Sequence, residues 1–143
     1  MADRNKRTKS REYAFQMMYR YAMTGEAPID IPASFWVPLD ENDKETKEFA
    51  VNLFKGAASK VADSDALMEK FLTKGWTFER MGEIEKNIMR VALYELLEGK
   101  SPYFAVLDDF VGLTKKFSDE SSAGLVNGIL DNVRKTYGLS VGE

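Results

Sequence analysis

Five cations stand within the first eleven residues, Arg4, Lys6, Arg7, Lys9 and Arg11, with Asp3 as the one acid among them. Lys and Arg at this density offer one main chemistry, the displacement of condensed counterions from the phosphates of a polyanion. The rest of the chain sharpens the contrast. Of 20 Lys+Arg and 23 Asp+Glu, net −3, the part beyond residue 11 keeps 15 and 22, net −7. A cationic segment on an otherwise acidic protein points to attraction of RNA or DNA at one place rather than to diffuse basicity. Tyr13 and Tyr19 follow at helical spacing, so aromatic rings stand ready to stack on unpaired bases. The residues alone also allow a solubilising tail, which is what many charged N-termini are.

Other candidate chemistry is thinner. The chain has no Cys and no His. That removes disulfides, thiolate and imidazole metal sites, Cys nucleophiles and every His-based triad. Close acids such as Asp108-Asp109 and Asp119-Glu120 have no defined ligand spacing, so they read as solvated helix faces. No phosphate-cradling Gly-rich loop is present. Gly128, inside a strongly periodic run, predicts close approach of another helix, and Asn127 beside it serves either as a buried amide lock or as a ligand group. Lys115 and Lys116 either complement a helix C-terminus or extend a phosphate track. We expect a non-enzymatic, cofactor-free and metal-free protein.

The elements that must position these residues are helical. Tyr13, Ala14, Met17, Met18, Tyr21 and Ala22 recur at three- and four-residue steps until Gly25. Pro28, Pro32 and Pro38 make residues 25–42 a loop with at most a turn near Phe35, and its apolar residues predict packing across the domain. A helix starts near Asp43, with a kink or break at Ala62–Asp65. Another, from about Glu79 through Leu97, is apolar around most of its circumference and is expected at the centre. Gly99 stops it. Ser101 and Pro102 read as N-cap and first residue of the next helix, which runs to Phe117. Ser118–Ser122 reads as a polar break, and a last helix ends at Gly138. We expect an all-α single domain over residues 1–143, with a basic arm at 1–11. No run reaches the ~20 apolar residues of a membrane span, and no secretory h-region follows the charged start, which predicts a cytoplasmic protein without membrane contact.

Taken in order, several segments resemble the NusB family of bacterial transcription antitermination factors. They are Arg11-Glu12-x-Ala14-x-Gln16-x-x-Tyr19, Trp76-x-Phe78-x-Arg80-Met81, Ile88-x-Arg90-Val91-Ala92-Leu93-Tyr94-Glu95-Leu96-Leu97, Pro102-Tyr103, Lys115-Lys116-Phe117 and Val126-Asn127-Gly128-Ile129-Leu130-Asp131. The resemblance spans essentially the whole chain. It implies two packed helical bundles and an antitermination role without catalysis. It further implies binding of the boxA element of single-stranded RNA together with NusE, a small-subunit ribosomal protein. Recruitment to elongating RNA polymerase would follow, notably on ribosomal RNA operons.

Position by position, the resemblance nominates Arg7, Arg11, Gln16 and Tyr19, with Ser121, Ser122, Leu125 and Asn127 across a groove. The composition adds Arg4, Lys6 and Lys9. Glu85 is the expected NusE contact, and the resemblance allows a homodimer as well as a monomer. The chain departs from the family at Asp108-Asp109-Phe110, where Asn-Glu-Ala is common, and at Ser118 in place of Gly. Ser121 replaces an acid found in some members, which eases repulsion from phosphate; Leu125 replaces a frequent Phe, which removes a stacking surface. Two alternatives remain: a helical protein–protein adaptor, and a stand-alone relative of the RNA-binding domain of rRNA cytosine methyltransferases. No βαβ pattern or Cys nucleophile follows before Glu143 to support the latter.

Overall fold

The computed structural model describes residues 4–73 and 75–139. Among them the chain forms seven α-helices and no strand: α1 (Arg4–Thr24), α2 (Ile31–Phe35), α3 (Lys44–Ser59), α4 (Val61–Phe71), α5 (Glu83–Glu98), α6 (Tyr103–Phe117) and α7 (Glu120–Tyr137). Short 3-10 turns sit at Pro28–Asp30 and Phe78–Arg80. The described part of the expected arm, residues 4–11, is no arm: it forms the first turns of α1. Met1, Ala2 and Asp3 lie outside the described residues. Arg and Lys are good helix formers, and each of the five cations lies against an acid from another element.

The helices fall into an N-terminal group, α1–α3, and a C-terminal group, α4–α7. They are joined through α5, which packs against α1, α3, α4, α6 and α7. This central place follows from its sequence, with Ile88, Met89, Val91, Ala92 and Leu93 all fully buried. Met17 and Met18 of α1, Phe54 of α3, Phe110 of α6 and Ile129 of α7 complete one continuous core. Arg90 ties α5 to α4 through two 2.8 Å bonds to the Asp65 carboxylate. In the 25–42 loop, Ile31 is buried and Phe35 and Trp36 pack edge-on against Tyr13, whereas Ile29 and Val37 stay exposed. No described helix is long and apolar enough to cross a membrane.

Helix ends obey local chemistry, with four departures from the expected boundaries, the first being that α5 begins at Glu83 rather than near Glu79, which belongs to the 3-10 turn. Asp43 caps α3 by accepting from the Thr46 N–H, and Asp119 caps α7 by accepting from the Ser122 N–H. Gly99 and Gly138 take the left-handed conformation that ends α5 and α7. The α3–α4 break falls at Lys60, ahead of Ala62–Asp65, because Asp63 suits the first turn of a helix. Ser101 is not a cap; its hydroxyl donates to Glu95 at 2.8 Å, and Pro102 occupies the N-cap position. The polar break shrinks to Ser118-Asp119, so Ser121 and Ser122 belong to α7.

The glycine reading is overturned. A Cβ on Gly128 would meet nothing within 4 Å, and Asn127 is exposed, so neither a tight crossing nor a buried amide lock exists there. The close approach occurs instead at Gly56 of α3, where a Cβ would land on the Tyr94 ring of α5.

Candidate nucleic-acid interface

Around α1, at ~100° per residue, successive faces meet different neighbours. Arg4, Thr8 and Arg11 face α5 and α6. The Arg11 side chain is only 2% exposed. Its Nε and Nη2 donate to both oxygens of Glu95 at 2.8 and 2.7 Å, and its Nη1 donates to Asp109 at 2.8 Å. Burial lowers the guanidinium pKa, but the bonds and charges of Glu95 and Asp109 outweigh it and hold Arg11 above its ordinary value. Arg4 and Thr8 also donate to Asp109, at 2.7 and 3.1 Å. Arg11 is therefore a strut between α1, α5 and α6, and its guanidinium is buried away from any phosphate.

The next face meets the start of α3 and the loop before it. Lys6 lies 3.3 Å from Asp43 and 3.6 Å from Glu45. Arg7 donates to Glu45 at 3.1 Å, and its guanidinium stacks 4.1 Å above the Phe49 ring. One of its nitrogens, Nη1, is buried without a hydrogen-bond partner. Lys9 reaches Glu41 at 2.8 Å. Glu41, 5% exposed, also accepts from the Tyr13 hydroxyl at 2.8 Å and from the Asp43 N–H at 3.2 Å. Burial first, then the Glu41 bond and charge, push the Tyr13 phenol up to about 12. The bond to Glu41 raises Lys9, and the bond to Asp43 raises Lys6. Lys9 holds Glu41 down, and Thr46, followed by Lys6, holds Asp43 down.

A third face is open. Lys9, Glu12, Gln16 and Tyr19 fall within an arc of ~80°. Tyr19 is 37% exposed, backed by Phe15, whose ring contacts Tyr19 at 6.4 Å and Phe117 at 5.3 Å. The Phe15–Phe117 contact brings the end of α6 beside α1. Lys116 there spans to Glu12 at 2.9 Å, and Lys115 is exposed. Glu12, Phe15, Tyr19, Lys116 and Phe117 thus belong to one neighbourhood, and Ser121 is exposed in the first turn of α7.

Other nominated residues are placed differently. Ser122 and Leu125 are buried. Ser122 supplies the capped N–H of α7, and Leu125 belongs to the core, so neither presents a surface. Asn127 is exposed but borders a shallow cavity with Tyr103, Phe104, Leu107, Asp108 and Val111, away from Tyr19. Glu85 is buried in the first turn of α5 and accepts from the Ser118 hydroxyl, which spends its carboxylate on fixing the α6–α7 turn. The ring contact of Phe117 with Phe15 could not be read from either helix alone. Among the described residues no cluster of three or more acids could hold a metal ion.

The NusB family profile matches residues 8–135. The chain belongs to the NusB family. Similar proteins include the transcription antitermination protein NusB of Anaeromyxobacter dehalogenans strain 2CP-1, 33% identical over 129 residues, 90% of each chain. The Aquifex aeolicus NusB is 34% identical over 133 residues, 92% of this chain and 88% of its own. The solution structure of Aquifex NusB matches with a TM-score of 0.78 over 96% of this chain and 93% of that one, at 33% identity. A crystal structure of antitermination factors NusB and NusE in complex with double-stranded RNA matches with a TM-score of 0.84, 30% identity, and coverage of 93% and 98%. Both bundles of the NusB fold are thus present here, organised around α5.

Proposed function

We propose that this NusB-family chain is an antitermination factor that binds boxA-type single-stranded RNA together with NusE. The complex acts on elongating RNA polymerase, notably at ribosomal RNA operons. The observation that carries this is the open face of α1 beside the α6–α7 turn, in a chain that aligns over nearly its full length with a NusB seen bound to NusE and RNA. Lys6, Arg7, Lys9 and Lys115 supply phosphate contacts, and Gln16, Tyr19 and Ser121 meet the bases. Arg4 and Arg11 hold α1 in place, and Glu85 acts from inside by positioning the α6–α7 turn. The chain works as a cytoplasmic binding protein rather than an enzyme.

Affinity for boxA-like RNA against a scrambled strand, with and without NusE, tests this. Tighter binding of the boxA-like strand supports it, and equal binding in the presence of NusE overturns it. A second reading, a helical adaptor, has one observation on its side: every prefix cation is already paired inside the molecule. It predicts that Lys6→Ala/Arg7→Ala/Lys9→Ala leaves both NusE assembly and RNA affinity unchanged.

A further inference from the structure

The five prefix cations divide into two sets by what holds them. Arg11, and Arg4 through Asp109, are bound to carboxylates that are only 5% exposed. A phosphate would have to strip buried acids of their partner to recruit these cations, which is costly. Lys6 and Arg7 are bound to Asp43 and Glu45 at the start of α3, whereas Lys9 is bound to Glu41, which is 5% exposed like Asp109. Glu45 is 52% exposed, and it serves both Lys6 and Arg7. Exposed pairs of this kind contribute little and exchange readily. The Nη1 of Arg7 is buried without an acceptor, so its present partner leaves its donors incompletely used.

We propose that Asp43 and Glu45 form an internal phosphate mimic that occupies Lys6 and Arg7 until RNA displaces it, with Glu45 the residue that sets the exchange. The acids then tune affinity downward: a non-specific polyanion must compete with them, whereas a strand also held by Gln16, Tyr19 and the α7 start has further contacts to offset the exchange. The inference rests on the RNA-binding reading above and adds to it a determinant lying outside the RNA-facing surface. It also fixes the electrostatic footprint of the prefix. Two exchangeable cations contribute a slope of about −1.4 to log K against log[salt] on single-stranded RNA, where five would contribute about −3.5.

The test measures binding of a boxA-like strand and of a scrambled strand at low and high salt. The proteins are the full chain, Glu45→Gln, Asp43→Asn (which keeps a capping side chain) and Glu69→Gln. Glu69 is an exposed acid of α4 that no prefix cation pairs with. Glu45→Gln should tighten both strands roughly three- to tenfold at low salt, with the scrambled strand gaining at least as much. The gain should shrink at high salt and vanish in a Lys6→Ala/Arg7→Ala background. Thermal melts confirm that the variants are folded. If Glu45→Gln gains no more than Glu69→Gln, or keeps its gain without Lys6 and Arg7, the mimic is refuted in favour of a general charge effect. Equal binding of the two strands by the unmodified protein would instead defeat the boxA reading while leaving the Glu45 comparison interpretable. No binding of either strand by any variant overturns both.

Discussion

Replacing Arg11 by Ala should cost this protein a large part of its stability without acting through RNA. The guanidinium makes three bonds of 2.7–2.8 Å to Glu95 and Asp109, and all three side chains are at most 5% exposed. Removing one partner of a buried ion network leaves the others charged in a poorly solvated place, at about 3–5 kcal/mol. Residual partners soften this. Asp109 keeps Arg4 and Thr8, and Glu95 keeps Ser101. The lower end, ~3 kcal/mol, is therefore expected, to be compared with about 5–15 kcal/mol for a whole domain. At ~2–4 °C per kcal/mol, the melting midpoint should fall by roughly 6–12 °C. Urea denaturation gives the free energy directly. Lys44→Ala, which removes one member of a solvent-facing pair with Glu48, should leave the midpoint nearly unchanged. The triple variant Arg11→Met/Glu95→Gln/Asp109→Asn should recover much of the loss, because it removes the stranded charges along with the bond. A cost below ~1 kcal/mol for Arg11→Ala would refute the reasoning, since it would mean that Glu95 and Asp109 are rehydrated at little expense.

Further outcomes follow from the same geometry. Tyr19→Ala should weaken boxA-like RNA by about 1–3 kcal/mol if a base stacks on the ring, with an unchanged melting curve; fluorescence anisotropy measures it. Gly56→Ala should destabilise by about 1–3 kcal/mol, because its Cβ meets the Tyr94 ring, while Gly128→Ala, in open helix, should stabilise by up to ~1 kcal/mol in the same urea titration. Glu26, lowered from 4.5 to about 2 by Arg20 and Thr24, and Glu41, Asp43 and Asp119, also lowered, all bind protons more weakly when folded. Their contribution is present above the ordinary carboxylate range and is lost as pH falls through the depressed values. Melting midpoints should therefore hold from pH 7 to about 5 and decline between about 4.5 and 2. Asp119→Asn should lessen that decline while preserving the α7 cap.

Much of the scaffold was legible because it is written in short-range terms. Periodic apolar residues identify α5 as the centre, Asp43 and the glycines at 99 and 138 mark helix ends, and the prolines delimit the 25–42 loop. The errors arose where a residue's partner lies on another element. Ser101 looks like a cap until Glu95 competes for its hydroxyl. Gly128 looks like a crossing point, yet the helix that needs a missing side chain is α3 at Gly56, because Tyr94 on α5 fills that space.

The candidate site divides in the same way. The amino-acid sequence by itself determined the all-helical class, the family, the absence of Cys and His chemistry, and the concentration of cations at one end. These depend on composition, periodicity and ordered motifs. Only the tertiary structure decided what each cation does. Charge is a property of a residue, but its availability depends on which carboxylates the fold brings within about 3 Å and how much water remains around the pair. Arg11 and Arg7 are four residues apart on one helix. One faces buried acids of α5 and α6 and holds the bundle together, and the other pairs with the half-exposed Glu45, a partner that can be exchanged.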